Sequence, residues 1–113
     1  MPRRGEIYLV NFPPGIGSEQ RGLRPAAIVQ NDLGNEYSGT TIVAALSSRA
    51  NPDYPFRVEV APRDSGLRER TVVLLDQLAT VDQERLRDRV GRLSPGAISA
   101  VDRALHHSLG LLD

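Results

Sequence analysis

Apolar residues along this chain fall in short runs separated by glycine, proline and asparagine, the pattern of strands joined by turns. Glu6-Ile7-Tyr8-Leu9-Val10-Asn11-Phe12 is rich in β-branched and aromatic residues and reads as a strand, stopped by Pro13-Pro14-Gly15-Ile16-Gly17. A polar loop, Gly17 to Pro25, follows. Pro25 to Gln30 is a second strand, apolar on both faces and therefore central. Asn31 to Gly39, dense in Asn, Gly and Ser, is expected to be a turn-rich connection. Thr40 to Leu46 is a third buried strand, closed by Ser47-Ser48, and Arg49 to Pro55 is a loop. Phe56-Arg57-Val58-Glu59-Val60 alternates as a strand with one wet face does. Ala61 to Arg70 is polar, with Pro62 and Gly66 as breakers. Thr71 to Val81 is the longest apolar run and favours a strand, with Asp76-Gln77 as a polar interruption. Asp82 suits the cap of a short helical turn, and Leu86 to Leu93 fits helix or strand equally. Ser94-Pro95 is a helix start, an N-cap followed by proline in the first turn. Ile98, Val101, Leu105, Leu109 and Leu112 then form one apolar stripe at helical spacing, and Gly110 ends the helix. The expected fold is mainly β with α: a small, strongly bent antiparallel sheet or barrel capped by a C-terminal helix, in one domain over residues 1–113.

Composition narrows the function. With 113 residues the core is modest, so a second copy would help to stabilise it. No apolar run is long enough to cross a bilayer, and the N-terminus enters the first strand without a signal-peptide core, so a cytoplasmic location is expected. The absence of cysteine removes disulfides, thiolate metal sites and a cysteine nucleophile. Basic and acidic residues balance at 14 each, which argues against coating nucleic acid by bulk charge while leaving room for a local basic site. Every basic residue is arginine, the better residue for two-pronged contact with phosphate. Three Tyr, two Phe and no Trp make an extended base-stacking platform improbable.

The most informative loop is Gly17-Ser18-Glu19-Gln20-Arg21-Gly22-Leu23-Arg24-Pro25. Gly17 and Gly22 allow the backbone to bend and approach a ligand. Pro25 fixes its own φ and pushes Arg24 towards extended geometry, giving the guanidinium a rigid base. That suits a group that must meet a phosphate with both arms of its fork. A solvated surface turn would have the same composition.

These residues resemble a known family. Gly17-Ser18-Glu19-Gln20 followed by Arg24-Pro25 is similar to the most specific signature of the MazF/PemK toxins, the endoribonuclease halves of type II toxin–antitoxin pairs. Arg4-Gly5-Glu6-Ile7-Tyr8 resembles the family's opening strand. Ile28-Val29-Gln30-Asn31-Asp32, Ile42-Val43-Ala44-Ala45 and Leu75-Asp76-Gln77 resemble later blocks, and Leu105 to Leu112 its closing helix. The resemblance implies an SH3-like barrel with a C-terminal helix, acting as a homodimer. It implies sequence-specific cleavage of single-stranded RNA without a metal ion or other cofactor, and neutralisation by an antitoxin with a disordered acidic tail. A toxin family of the same architecture instead poisons DNA gyrase without enzymatic activity, and fold alone does not separate the two.

By the same resemblance Arg24 and Ser47 carry the chemistry, with Ser47 at a position where the family commonly has threonine. Serine keeps the hydroxyl but lacks the methyl group that restricts χ1. Glu19 matches the family's acidic loop residue, with two roles open: general base, or an anchor that orients Arg24 or Arg21. Ser18, Gln20, Arg21, Ser48 and Gln77 are candidates for substrate contact, Arg21 and Ser48 through phosphate and Gln77 through a base edge. Gln77 and Asp76 also fit a satisfied structural pair, and Ser48 and Arg49 a solvated loop. His106 and His107 fall on the closing helix and are read as scaffold. Arg85, Arg87, Arg89 and Arg92, offset by Glu84 and Asp88, are read as a solvated face.

Overall fold

The computed structural model describes residues 1–13 and 22–111. Six strands, β1 (Glu6–Phe12), β2 (Gly22–Ile28), β3 (Thr40–Ser47), β4 (Arg57–Val60), β5 (Thr71–Asp82) and β6 (Leu86–Arg92), form one antiparallel sheet in the order β4-β5-β3-β2-β1-β6. Two helices complete it, α1 (Asp32–Tyr37) and α2 (Pro95–Ser108). The sheet is bent and its edges β4 and β6 do not pair, so it stops short of a closed barrel.

The bend has a visible cause in β5. Ala44 pairs with Leu78, but the next residue, Ala45, pairs with Leu74. Leu75, Asp76 and Gln77 are therefore extra residues on β5, and a bulge of this kind bends a strand and strengthens its twist. The polar interruption read from the sequence is this bulge. Further register shifts between β1 and β6 help the sheet to curl.

Alternation along the strands then makes two apolar layers. On one face Ile7, Ala27, Val29, Ala44, Leu46, Val73 and Leu75 pack with Ala97, Val101 and Ala104 of α2. On the other face Val10, Phe12, Ala26, Ile28, Val43 and Val81 form a second cluster, joined by Tyr8, Ala79 and Leu86 as the sheet curls over itself. A one-residue slip in any central strand would exchange the two layers, so the register is strongly specified.

Several boundaries differ from the sequence reading. Asn31 to Gly39 is not only turns: Asp32–Tyr37 is helical, capped by the Asn31 side chain, which accepts from Gly34 N at 2.7 Å. Its buried Asn35 is held by Gln30 and Thr41, and Gln83 donates to the Asn35 carbonyl. The second strand begins at Gly22 rather than Pro25, because it pairs with β1 as far as Phe12↔Gly22. Leu86–Arg92 is a strand, and Gln83–Arg85 is a 3₁₀ turn to which the Asp82 side chain gives no cap. The apolar stripe of α2 holds for its first three members: Val101 is buried, and Ile98 and Leu105 pack against the core, with Ala97 and Ala104 buried beside them. Leu109 departs from it at 57% exposed, and Leu112 lies outside the described residues. The helix end holds: Gly110 has φ +71° just after it. Among the described residues no helix is long and apolar enough to cross a membrane.

A buried carboxylate ties β1 to β6. Glu6 Oε2 accepts from Arg89 at 2.8 Å, and Oε1 accepts from Arg3 N at 2.7 Å and Tyr8 OH at 3.1 Å. Burial alone would raise the Glu6 pKa, but these hydrogen bonds together outweigh it and hold the carboxyl below its ordinary value of 4.5. The depressed folded value means that this stabilisation is present above pH 4.5 and is lost as pH falls through the folded pKa. Glu6→Gln is therefore expected to lower the melting temperature at pH 7 and to flatten the acid limb of a stability–pH curve. An unaltered acid limb would place the transition elsewhere.

Gly91 provides a packing test. A Cβ there would sit 2.3 Å from the Ser65 carbonyl oxygen, which already accepts from Arg92 N. Overpacking against backbone costs about 1–3 kcal/mol. Gly91→Ala is expected to lower the melting temperature by roughly 5–15 °C. Gly96→Ala, where a Cβ meets nothing within 4 Å, is the neutral control.

Candidate functional site

β2 starts with Gly22 at φ +68°, the left-handed region in which glycine is at ease. Leu23 and Arg24 are exposed, Pro25 is half-buried, and Ala26 to Ile28 are buried. Arg24 thus stands just outside the core on a strand whose inner half is fixed. Pro25 is tolerated in this central strand because the β2–β3 ladder begins only at Ala26↔Ala45, so its missing N–H deprives no bond. On its other side Pro25 pairs with Leu9, and Arg24 pairs with Val10.

Both strands run on beyond the ladder's last pair. Continuing its register by two residues on each strand sets Arg24 opposite Ser47, and Ser47 itself pairs with Val72 of β5. Val10 pairs with Arg24 and Ser47 with Val72, so a continued register would bring all four into one row on one face of the sheet. Side chains directly opposite in an antiparallel pair have Cβ atoms roughly 5 Å apart. A guanidinium and a hydroxyl so placed can reach one bound group together. Among the described residues the Arg24 side chain has no hydrogen-bond or ion-pair partner.

Ser47 is half-buried at the end of β3, and its Oγ accepts from Arg49 N at 3.2 Å. That bond uses a lone pair and leaves the O–H proton free to point outward. Ser48 and Arg49 are exposed beside it. Gln77 is half-buried in the β5 bulge next to exposed Asp76. Ser18, Glu19, Gln20 and Arg21 lie outside the described residues.

Asp76 is a structural partner, not an open edge. Arg57 grips it with both arms, Nε to Oδ1 at 3.4 Å and Nη2 to Oδ2 at 3.1 Å, and Arg57 Nη1 donates to the Asn51 carbonyl at 3.0 Å. The fork ties the β3–β4 loop to the bulge that carries Gln77. The Arg57 guanidinium also lies 5.0 Å from the centroid of Tyr54 and 5.8 Å from that of Phe56, and the two rings stack at 5.2 Å. Sequence reasoning put Tyr54 in a loop and Phe56 and Arg57 in the strand that follows, and did not connect them with Asp76. The cluster's signal was Tyr54-Pro55-Phe56-Arg57, two of only five aromatic residues beside an arginine.

The other charged groups are structural or solvated. His106 and His107 are exposed on α2. Arg89 is committed to Glu6, Arg85 donates to the Asn11 carbonyl, and Arg87 donates to the Glu84 carbonyl. Burial, together with the Glu6 charge and hydrogen bond, raises the Tyr8 phenol above its ordinary pKa and keeps it protonated as a donor to Glu6.

Comparison with known proteins bears on the fold and the family. Residues 3–109 match the family model described as PemK-like, MazF-like toxin of type II toxin–antitoxin system. The chain is similar to an endoribonuclease in complex with its cognate antitoxin from Mycobacterial species, at 26% identity and a TM-score of 0.80, covering 100% of this chain and 99% of that one. It is also similar to MazF from Deinococcus radiodurans, at 29% identity and a TM-score of 0.79, covering 96% of each chain. The MazE–MazF complex of the same organism matches at 25% identity and a TM-score of 0.74, covering 96% of this chain and 95% of that one. The chain belongs to the PemK/MazF family of toxins of type II toxin–antitoxin systems.

Proposed function

We propose that this toxin is a sequence-specific, metal-independent endoribonuclease that cleaves single-stranded RNA. The observation that carries the reading is that Arg24 and Ser47 each lie two residues beyond the pair Ala26↔Ala45, so that a continued register would set them opposite each other. The similarity to an endoribonuclease over the whole chain supports it.

The reaction uses the substrate's own 2′-hydroxyl as nucleophile. Its oxygen attacks the adjacent phosphorus, the bond from phosphorus to the 5′-oxygen breaks, and the products are a 2′,3′-cyclic phosphate and a 5′-hydroxyl end. The proton lost by the 2′-oxygen goes to a base, and the leaving 5′-oxygen takes one up. Charge builds on the nonbridging phosphate oxygens during this exchange. Arg24, planar and permanently cationic, meets two of those oxygens and is suited to stabilise that charge. It is unsuited to be the base, because a protein guanidinium is effectively never deprotonated. Ser47 donates its free O–H to a nonbridging oxygen. Glu19 is the proposed base, on the chemistry of carboxylates and its place in the loop that leads to Arg24. Ser18, Gln20, Arg21, Ser48 and Gln77 are proposed to contact the RNA around the scissile phosphate.

A homodimer is the proposed working form. An antitoxin with a disordered acidic tail is the proposed partner, in line with the antitoxin-bound relative. Coupled folding of such a tail covers a large surface and remains reversible.

Purified protein incubated with a random-sequence RNA pool in EDTA is expected to cut at a short sequence and leave cyclic-phosphate and 5′-hydroxyl ends. Removing one hydrogen-bond donor to developing charge typically costs about 10²–10³ in rate. Ser47→Ala is expected to lose that much, Arg24→Ala at least as much, and Ser47→Thr to retain activity, all with unchanged thermal unfolding. Glu19→Gln is expected to remove the acid limb of the kcat/KM–pH profile. Intact RNA with wild-type protein, or gyrase-dependent DNA breakage in its place, would overturn the assignment.

A further inference from the structure

We infer that the outer face of Tyr54 is a stacking seat for one unpaired base of the RNA, beside the phosphate held at Arg24 and Ser47. The inference rests on the ribonuclease reading above and adds a residue to its substrate contacts.

The first observation is the ring itself. Tyr54 is 46% exposed, yet its orientation is fixed. Phe56 stacks against it at 5.2 Å with the planes 16° apart. Arg57 stands within 5.0 Å of one centroid and 5.8 Å of the other. Two groups on opposite faces of a ring are separated by two contact gaps, about 7 Å or more. Arg57 and Phe56 therefore lie on the same side of Tyr54, and among the described residues no ring or cation contact occupies its other face. Backbone bonds from Tyr54 N to the Pro52 carbonyl and from Arg57 N to the Tyr54 carbonyl hold the turn. A pre-ordered ring loses little conformational entropy when a base settles on it.

The second observation is position. Arg57 pairs with Leu74, and Leu74 with Ala45, so Arg57 lies on the face that carries Ser47 and Arg24, in the neighbouring row. At ordinary strand spacing and rise, its Cα is roughly 12 Å from that of Ser47. That is the span to a neighbouring nucleotide, not to the one being cut. The third observation is charge. Arg49, exposed between Ser47 and Tyr54, suits the backbone phosphate on the way. Asp53, exposed next to Tyr54, repels phosphate from the ring and accepts from base amino groups. The arrangement selects a base on Tyr54 rather than the backbone. Single-stranded RNA is commonly recognised in this way, with unstacked bases laid on aromatic rings. Five aromatic residues cannot build a long platform, but one seat requires only one exposed face.

The test uses a short single-stranded RNA pool in two forms. The 2′-O-methylated form binds but cannot be cut by 2′-hydroxyl attack, and the unmodified form reports turnover. Stacking of a base on an aromatic ring is worth about 1–3 kcal/mol, which converts to about 5- to 150-fold in affinity. Tyr54→Ala and Tyr54→Leu are expected to weaken binding of the methylated RNA by that factor. Tyr54→Phe, which keeps the ring, should stay within about twofold of wild type. On unmodified RNA, Tyr54→Ala should raise KM and leave the cleavage rate at saturation near wild type. Circular dichroism and melting of each variant check the fold. RNA affinity unchanged in Tyr54→Ala, with Arg24-dependent cleavage by wild type intact, would overturn this inference alone. A wild-type protein that neither binds nor cuts the pool would overturn the ribonuclease reading, and this inference with it.

Discussion

Everything at the candidate site depends on the register between β2 and β3. Ala26 faces Ala45 and Ala27 faces Ala44, four small residues that are buried together at the centre of the sheet. Their neighbours Ile28 and Val43 enter one apolar layer, while Val29 and Leu46 enter the other. A slip of one residue would turn each of these to the wrong side, so the alternation locks the pairing. The lock lies two residues inside the positions of Arg24 and Ser47, so the strands that carry them are held in register without either side chain contributing to the core.

The bulge in β5 is the second constraint. Without Leu75, Asp76 and Gln77 as extra residues, β5 would run straight past β3, and the second apolar layer would lie open. The bulge exposes Asp76, which then serves as the anchor for Arg57. One irregularity thus bends the sheet, presents Gln77 and pins the loop that follows Ser47. The Arg57–Asp76 pair is partly exposed, so its value as an isolated ion pair is small. What it adds is orientation: the fork, the Asn51 carbonyl and two rings hold one guanidinium from several sides.

Most of this was legible from local pattern, and the failures were non-local. The strands of Glu6–Phe12, Thr40–Ser47 and Thr71–Asp82 announce themselves by β-branched residues and bounding turns. So does the Ser94-Pro95 helix start, whose hydroxyl accepts from Ala97 N at 3.2 Å. Asp32–Tyr37 was hidden because Asn31, Gly34, Asn35 and Ser38 are turn formers taken alone. What holds that segment as a helix is a buried amide network with Thr41 and Gln83, far along the chain. The α2 stripe was legible through Ile98, Val101 and Leu105, but small residues were passed over: Ala97 and Ala104 are also buried at the contact, while Leu109 is exposed. Arg24 could be singled out from Pro25 alone. Its partner at Ser47 rested on family resemblance, since no sequence spacing reveals a cross-strand register. Arg57 with Asp76 and Glu6 with Arg89 are tertiary pairs of the same kind.

The arginines of this chain, which carries no net charge, are sorted between ion-paired and unpaired positions. Arg4 is paired with Asp102, Arg57 with Asp76, Arg70 with Glu59 and Arg89 with Glu6. These pairs neutralise part of the cationic surface that would otherwise attract phosphate indiscriminately. Arg24 and Arg49 have no ion-pair partner among the described residues, and both lie at the mouth of the β2–β3 pairing. Among the described residues Arg24 has no ion-pair partner, as is true also of Arg68, Arg85, Arg87, Arg92 and Arg103, and it stands on a strand whose inner half is buried. What sets Arg24 apart from the other unpaired arginines is its place: it stands at a strand end beside Pro25, in the same sheet as the end of β3 that carries Ser47.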